Sequence, residues 1–597
     1  MKKITSLLLI LCMLLAFASC KPGDPNTDVT TAPDITDQPP VSTTEEVTTA
    51  DPLKFPAEDP QREIVLFENN KWNYKLIRPD VMNEVVSTTL ATARYNLSLA
   101  SRIGIGVASD HLEEGASYDD GACEILYGNT GHLQSLSAYN SLCFGEAGVF
   151  VIGNKIVMAA YTVAGFKQCY LHMAAVLQES FKDGKIAAKV SDIEKVFNVD
   201  ESLSDIPRPD RLNLLTIQDC QYEQTMYIFE KATENDFLKY KEKFAGTAPV
   251  QERSVQGNHF ATYQIGKHLV NISYSKYDNR IRTILNENNT VSPLMTENTG
   301  SEKKTDNIII MHGLGWGTSE ADILNHQNGI CILFRLSDGR FLVVDGGFNR
   351  QGDADDLYKL LVKYTPSGMK PTVAAWFITH AHGDHHATFA NKFVNSYKAS
   401  VNIESLLFNP PSKASDVNTS NERTGEELII SVAKGINGCK WIRPHVGDRY
   451  YIGDAVVDFY YTIDQYYPQT FTYYNTCSLM FSVTLGGQKT MINGDAANAS
   501  FREAIRMFGD ELKSDIVQVA HHGYGTGVSD SMSTDVMQGY KYMSPTLILW
   551  PLGNEHYENL SKKVYNKYLT LLPSVKEIKI AGKTDHVVSL PYTPPEK

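Results

Sequence analysis

The chain has 597 residues, with 55 Lys and Arg against 69 Asp and Glu, a formal net charge of −14 with neutral His. That length holds several domains. The acidic balance excludes a protein that grips nucleic acid over its whole surface, while leaving room for a local basic groove. Five Trp, 31 Tyr and 24 Phe exclude a mostly disordered chain.

Lys2 and Lys3 lead an apolar run, residues 7–18, and Ala18 and Ser19 then precede Cys20. The run is shorter than the roughly 20 residues a mature membrane span needs. A charged start, an apolar run and small residues read as an export signal. The Cys directly after it resembles a bacterial lipoprotein processing site. That implies a signal peptide over 1–20, lipid on Cys20, and a chain anchored to membrane lipid outside the cytoplasm; a plain secretory signal is the alternative. Residues 21–58 are rich in Thr, Pro and Asp. They cannot bury enough surface to offset their ordering entropy and read as a tether. The nine Cys are thinly spread without a Cys-x-x-Cys pair, so no Cys-rich zinc site is expected.

Folded structure is expected from near residue 60. Residues 59–208 read as an α/β domain, with helical spacing over 81–108 and a strand from Glu124 running into a turn at Gly128. A hairpin around Gly153-Asn154 and a helix over 165–181 follow. This order, over about residues 75–185, resembles the small α/β domain that leads some polysaccharide-degrading enzymes such as α-glucuronidases. The resemblance implies a part in positioning a large substrate or partner. Gly104-Ile105-Gly106 lacks the third Gly of a dinucleotide fingerprint and reads as a turn. Pro207-Arg208-Pro209 marks a boundary. Residues 209–285 then read as a small α+β module, two β-rich runs around a polar helix over 234–244. Its His259 and His268 are isolated. Residues 286–304 read as a linker.

The chemistry lies in residues 305–597. Apolar runs at 330–334 and 341–344 flank the turn Ser337-Asp338-Gly339 and end in Asp345-Gly346-Gly347; a helix follows over 353–364. The buried-type run 373–378 then enters Thr379-His380-Ala381-His382-Gly383-Asp384-His385-His386, which holds four of the 16 His. In extended chain, residues two apart point to one side. His380 and His382 can therefore grip one ion, and the turn at Gly383 redirects Asp384 and His385 toward a second. Imidazole and carboxylate suit Zn²⁺ and similar divalent ions, whereas a structural zinc site more often uses thiolates.

His-x-His-x-Asp-His after a strand, preceded by the Asp-Gly-Gly hairpin, resembles the metallo-β-lactamase superfamily over about residues 305–595. The resemblance implies an α/β multidomain protein with a C-terminal αββα sandwich, preceded by the smaller α/β and α+β domains. It also implies two divalent ions, Zn first and Mn as the alternative. His380, His382, Asp384, His385, Asp495 and His521 become the ligands: Asp495, in Asn493-Gly494-Asp495, takes the bridging place, and His521, in His521-His522-Gly523, the last place on the second ion. Within the superfamily, Asn475-Thr476-Cys477-Ser478 and the terminal Gly553-Asn554-Glu555-His556 resemble the hydrolase domain of bacterial competence (DNA-uptake) channel proteins. Ala387-Thr388-Phe389 and Tyr524 depart from that pattern and leave nuclease activity open. His445, beside Pro444 and before Gly447-Asp448, reads as a turn residue rather than a third ligand.

Asp384, His522 and His556 are the candidate catalytic residues, Asp384 holding the second ion and orienting the nucleophile, with Asn554 as a substrate contact. The expected function is metal-dependent hydrolysis of phosphodiesters in nucleic acid or a phosphorylated surface polymer. A hydrolase of another ester or lactone is the alternative, and a non-catalytic surface binding lipoprotein is the reading from another class. A polymeric glycan or nucleic acid is the expected partner, and no protein partner is identifiable. The aromatic run Phe459, Tyr460, Tyr461, Tyr466 and Tyr467 reads as core before it reads as a stacking platform.

Overall fold

The computed structural model describes residues 52–595, apart from 288–290, 298–301, 315–328, 351, 413–419, 472, 525–533, 553 and 582–583. The signal, Cys20 and most of the tether lie outside the described residues. No described helix is long and apolar enough to cross a membrane.

Residues 60–200 build a mixed six-stranded sheet. Its strand order is Lys195–Asn198, Glu146–Ile152, Lys155–Ala160, Glu124–Tyr127, Lys75–Arg78 and Val107–Ser109. The hairpin turns at Gly153, whose φ of 61° suits a residue without a Cβ. Helix Glu84–Ser98 starts where the Asn83 side chain accepts from Val86 N, and Val163–Glu179 where Thr162 accepts from Gly165 N. Both helices pack on this sheet through Val86, Leu97, Phe166 and Met173.

The middle module is a six-stranded antiparallel sheet with its edges at Asn213–Asp219 and Gln251–Val255. Successive side chains of a strand face opposite ways, and here both faces are apolar. Tyr227 and Phe229 point into the core shared with the N-terminal domain, where the Phe144 and Tyr227 rings lie 4.4 Å apart. Met226, Ile228 and Ile284 point into the core of the C-terminal half. Farther along, the Phe260 ring stacks on Phe508 at 5.6 Å. Helix Glu234–Glu242 adds Phe237 and Tyr240 to the N-terminal core. Polar ties fix the same joint: buried Arg443 donates to the carbonyls of Cys220 and Gln221 at 2.8 Å, and Arg282 to those of Gln465 and Tyr467 at 3.1 Å. Within the stretch 286–304 read as a linker, Met295 is buried in the C-terminal core, and Val291 and Leu294 pack against that core.

The C-terminal half stacks two sheets. The first has eight strands, with Thr372–Phe377 between Phe341–Asp345 and Ser405–Leu407 and parallel to both. The second has seven, with the parallel run Gln488–Ile492, Ile516–Gln518 and Leu547–Trp550. Ile332, Leu342, Val344 and Phe377 of the first sheet meet Val457, Phe481, Ile492 and Leu549 of the second in one core. Their opposite faces carry Leu333, Val343 and Trp376 against helices Asp353–Tyr364 and Ser420–Lys434, and Met491, Val517 and Ile548 against Asn498–Phe508 and Thr534–Met543. This is the expected αββα order. Of the aromatic run, Phe459, Tyr460, Tyr461 and Tyr467 are buried, as a core reading requires.

Candidate metal centre

Parallel strands present their carboxyl ends on one edge, and side chains just beyond those ends converge. Thr372–Phe377 delivers the His motif there, Gln488–Ile492 delivers Asp495, and Ile516–Gln518 delivers His521 and His522. Two groups of donor atoms result. Asp384, His385, Asp495 and His522 form one, and His380, His382 and Asp495 the other; within each, the donor atoms lie within 4.8 Å of one another.

Asp495 is common to both. Its Oδ2 is 3.1 Å from His385 Nε2 and 3.9 Å from His380 Nε2, and its Oδ1 is 3.5 Å from His522 Nε2. His522 Nε2 is also 3.3 Å from Asp384 Oδ2. The resemblance implies His521 as a ligand of the second ion, and His522 reads separately as a candidate catalytic residue. The fold sets His522 inside the four-residue group instead, while His521 Nε2 stands 3.8 Å from Asp495 Oδ2 with its side chain 16% exposed. Both residues have left-handed φ, 49° and 52°. In that rare conformation for consecutive non-Gly residues, both rings approach Asp495 with their centroids 6.3 Å apart, and the His522 ring is the buried one. His445 lies away from both groups, buried with Nδ1 2.7 Å from Asp464 Oδ2. The side chains of Asn554 and His556 lie outside the described residues.

The outer nitrogens explain how the rings are held. Asp345 is fully buried with φ 55° and accepts from Thr379 N at 2.8 Å, Thr379 Oγ1 at 2.9 Å and His385 Nδ1 at 2.8 Å. A proton on His385 Nδ1 leaves Nε2 facing Asp495 as a lone pair. Thr379 Oγ1, having given its hydrogen to Asp345, accepts from His380 Nδ1 at 3.2 Å, so His380 Nε2 also faces inward. His522 Nδ1 lies 3.2 Å from the Pro551 carbonyl, which aims its Nε2 at the carboxylates. Asp495 is placed by Gln518, whose Oε1 accepts from Asn493 N and Gly494 N at 2.8 and 2.9 Å. Gly494 is required there: its φ is 53°, and a Cβ would stand 2.8 Å from Thr379 Cβ.

The donor set fits divalent ions. His385 Nε2, His522 Nε2 and Asp495 Oδ1 are buried and make no hydrogen bond, a costly arrangement for polar atoms unless a cation satisfies them. His380 Nε2 and His382 Nδ1 lie 2.9 Å apart, so two lone pairs converge on one proton or one cation. Without a cation, burial opposes charge on His385 and His522, but Asp495 and Asp384 outweigh it; His385 is held well above its ordinary pKa and His522 above it. Burial also opposes charge on Asp495, yet His385 and His522 hold its pKa well below the carboxylate range. Burial and the neighbouring imidazoles keep His380 neutral, well below its ordinary value. Protons thus fill the role that metal charge can take. Oxygen and imidazole donors suit Zn²⁺, Mn²⁺ or Fe²⁺ and leave the choice among them open.

Asp345 escaped the sequence reading as a functional residue. Its signal was an acid closing an unbroken apolar strand, which a buried strand end tolerates only when the acid is fully hydrogen-bonded. Gln518, at the end of another buried strand, carried the same signal.

No family model and no curated protein matches the chain. Among solved structures it is similar to the metallo-β-lactamase fold protein YhfI of Bacillus subtilis, at 14% identity and TM-score 0.28, over 47% of this chain and 98% of that one. It is also similar to CmlA, a diiron β-hydroxylase of Streptomyces venezuelae, at 10% identity and TM-score 0.29, over 48% of this chain and 54% of that one, so about half of CmlA is matched. The four-layer order with ligands at strand ends defines the C-terminal half as a metallo-β-lactamase fold with a His/Asp cluster that can bind metal ions.

Proposed function

We propose that the protein is a dinuclear metal-dependent hydrolase of phosphodiesters, exported and held at the membrane through lipid on Cys20. The observation that supports it best is the shared Asp495, flanked by the orphaned Nε2 atoms of His385 and His522 in one donor group and by the converging His380 and His382 nitrogens of the other. Bound there, two divalent ions supply Lewis acidity, which activates water and neutralises charge developing at the reacting centre. The chain's own groups do the rest. Asp345, Thr379 and the Pro551 carbonyl hold the ring tautomers, so no side-chain reorganisation is needed during the reaction. Asp384 and Asp495 offer carboxylate oxygens to orient the attacking water. His521, at the rim, is the group placed to hand a proton to the leaving oxygen. Hydrolysis of a phosphorylated surface polymer is favoured over DNA, because a net charge of −14 supplies no excess of Lys and Arg for tracking phosphates.

The test is an assay of the metal-loaded protein on bis-p-nitrophenyl phosphate, single- and double-stranded DNA, a lactone and nitrocefin. Turnover of the phosphodiester, lost in Asp495→Ala, supports the reading. Turnover of the lactone alone moves the function to the ester alternative, and no turnover of any substrate by fully loaded protein removes the hydrolase.

A further inference from the structure

Three of the four inner imidazoles have an outer partner within the strand-end scaffold: Asp345 for His385, Thr379 for His380 and Pro551 for His522. His382 does not. Its ring lies past the strand end and is 31% exposed, with Nδ1 facing His380 Nε2. The atom that meets its outer Nε2 is Glu422 Oε1 at 3.3 Å, on helix Ser420–Lys434, outside every motif that carries the other ligands.

Close packing fixes that helix. Gly425 lies against the His motif so tightly that a Cβ would stand 2.9 Å from His386 Nε2 and 3.0 Å from the Ala381 carbonyl oxygen. One residue on, buried Glu426 Oε1 accepts from the Tyr474 hydroxyl at 2.6 Å, and the Tyr474 ring lies 5.1 Å from that of His382. Glu422, one turn before Glu426, is on the same side of the helix. His382 is thereby held between Tyr474 on its face and Glu422 on its outer edge.

We propose that Glu422 is a positioning residue for the ion held by His380, His382 and Asp495: accepting from His382 Nε2–H, it fixes the tautomer that leaves Nδ1 free to bind metal. The inference depends on the two-ion reading above. A carboxylate on the outer nitrogen of a ligating imidazole orients the ring and raises its basicity, and losing such a partner costs about 10- to 100-fold in metal affinity. The two ions then depend on different parts of the chain. The Asp384, His385, Asp495 and His522 group is entirely buried and set by the strand-end scaffold, whereas the His380 and His382 group needs a helix that lies outside it. The second group should bind its ion more weakly and fill last.

The experiment is a Zn²⁺ titration of the full chain against a chelating indicator, repeated with Co²⁺ to follow each ion by its visible absorption. The wild type should take up two ions in sequence. Glu422→Ala should weaken the later ion by about 10- to 100-fold and leave the earlier one unchanged. Glu422→Gln, whose amide oxygen still accepts from Nε2–H, should retain most of that affinity. In a His382→Ala background Glu422→Ala should change nothing further, a dependence that general damage to the helix would not show. Equal weakening of both ions, no weakening of either, or an undiminished effect without His382 overturns the proposal while leaving the two-ion site standing. A wild-type chain that takes up no ion overturns both.

Discussion

Asp345→Asn tests the orientation argument most sharply, because it changes one atom and reverses the ring tautomers that this carboxylate sets. In the wild type, Asp345 Oδ2 accepts from His385 Nδ1 at 2.8 Å and from Thr379 Oγ1 at 2.9 Å, while Oδ1 accepts from Thr379 N at 2.8 Å. The amide of Asn keeps its oxygen on Thr379 N and turns its NH₂ toward His385. Thr379 Oγ1 can rotate to accept from that NH₂, and Asn tolerates the φ of 55° at this position. The Thr379 hydroxyl hydrogen, no longer accepted at position 345, turns to His380 Nδ1 at 3.2 Å, which moves the His380 proton to Nε2 as well. With the other hydrogen bonds remade, folding stability should change by only about 1 kcal/mol. The cost falls on His385: with Nδ1 now accepting, its proton sits on Nε2, which faces Asp495 Oδ2 at 3.1 Å. To ligate, the ring must leave its hydrogen bond or shed that proton. The expected loss for this ion is at the upper end of the range for outer-shell partners, about 100-fold or on the order of 3 kcal/mol. Isothermal titration with Zn²⁺ reads it directly, with thermal unfolding of the metal-free protein as the check on folding. Wild-type affinity for both ions in a folded Asp345→Asn protein would refute the tautomer reasoning.

Other consequences are independent of that site. Cys20→Ala should move the protein from the membrane to the soluble fraction, and a mutant that stays with the membrane would exclude the lipid anchor. Burial pushes Glu426 up to about 7 from its ordinary 4.5, against the Tyr474 hydrogen bond. Its folded pKa is raised, so its stabilising effect is fully present below about pH 4.5 and is lost as pH rises through about 7. Glu426→Gln has no proton to lose and should make the metal-free protein more stable than wild type at pH 8, by on the order of 3 kcal/mol at most; equal melting temperatures there would contradict this. Ile228→Ala, in the middle sheet, should destabilise by about 2–5 kcal/mol and lower one shared unfolding transition, because Ile228 belongs to the core of the C-terminal half. Two separate transitions, with only the N-terminal one shifted, would show that the halves unfold independently.

The αββα sandwich and the His motif were legible because local chemistry dictates them. The hairpin ending in Asp345-Gly346-Gly347 and the strand feeding His380 are short apolar runs closed by turn residues, and such runs read correctly without tertiary knowledge. The covering of the middle sheet on both faces was legible only in part. Met226, Tyr227, Ile228 and Phe229 form an unbroken apolar run where a sheet with one wet face would alternate, but the run does not say which neighbour covers which face. The choice between His521 and His522 could not be read at all, because both follow the same strand in one His-His-Gly turn and only the folded loop decides which ring joins the buried group. Glu422 was equally hidden, since its role comes from a helix brought against the His motif by packing at Gly425.

Counting the ions bound by variants of the shared and unshared ligands tests the central claim most directly. Elemental analysis of the reconstituted wild type should give about two divalent ions per chain, with His382→Ala and His522→Ala each retaining about one. Asp495→Ala, which removes the carboxylate common to both donor groups, should weaken both ions together. A wild-type content near zero after careful reconstitution, or an Asp495→Ala protein that keeps both ions at wild-type affinity, would contradict the account.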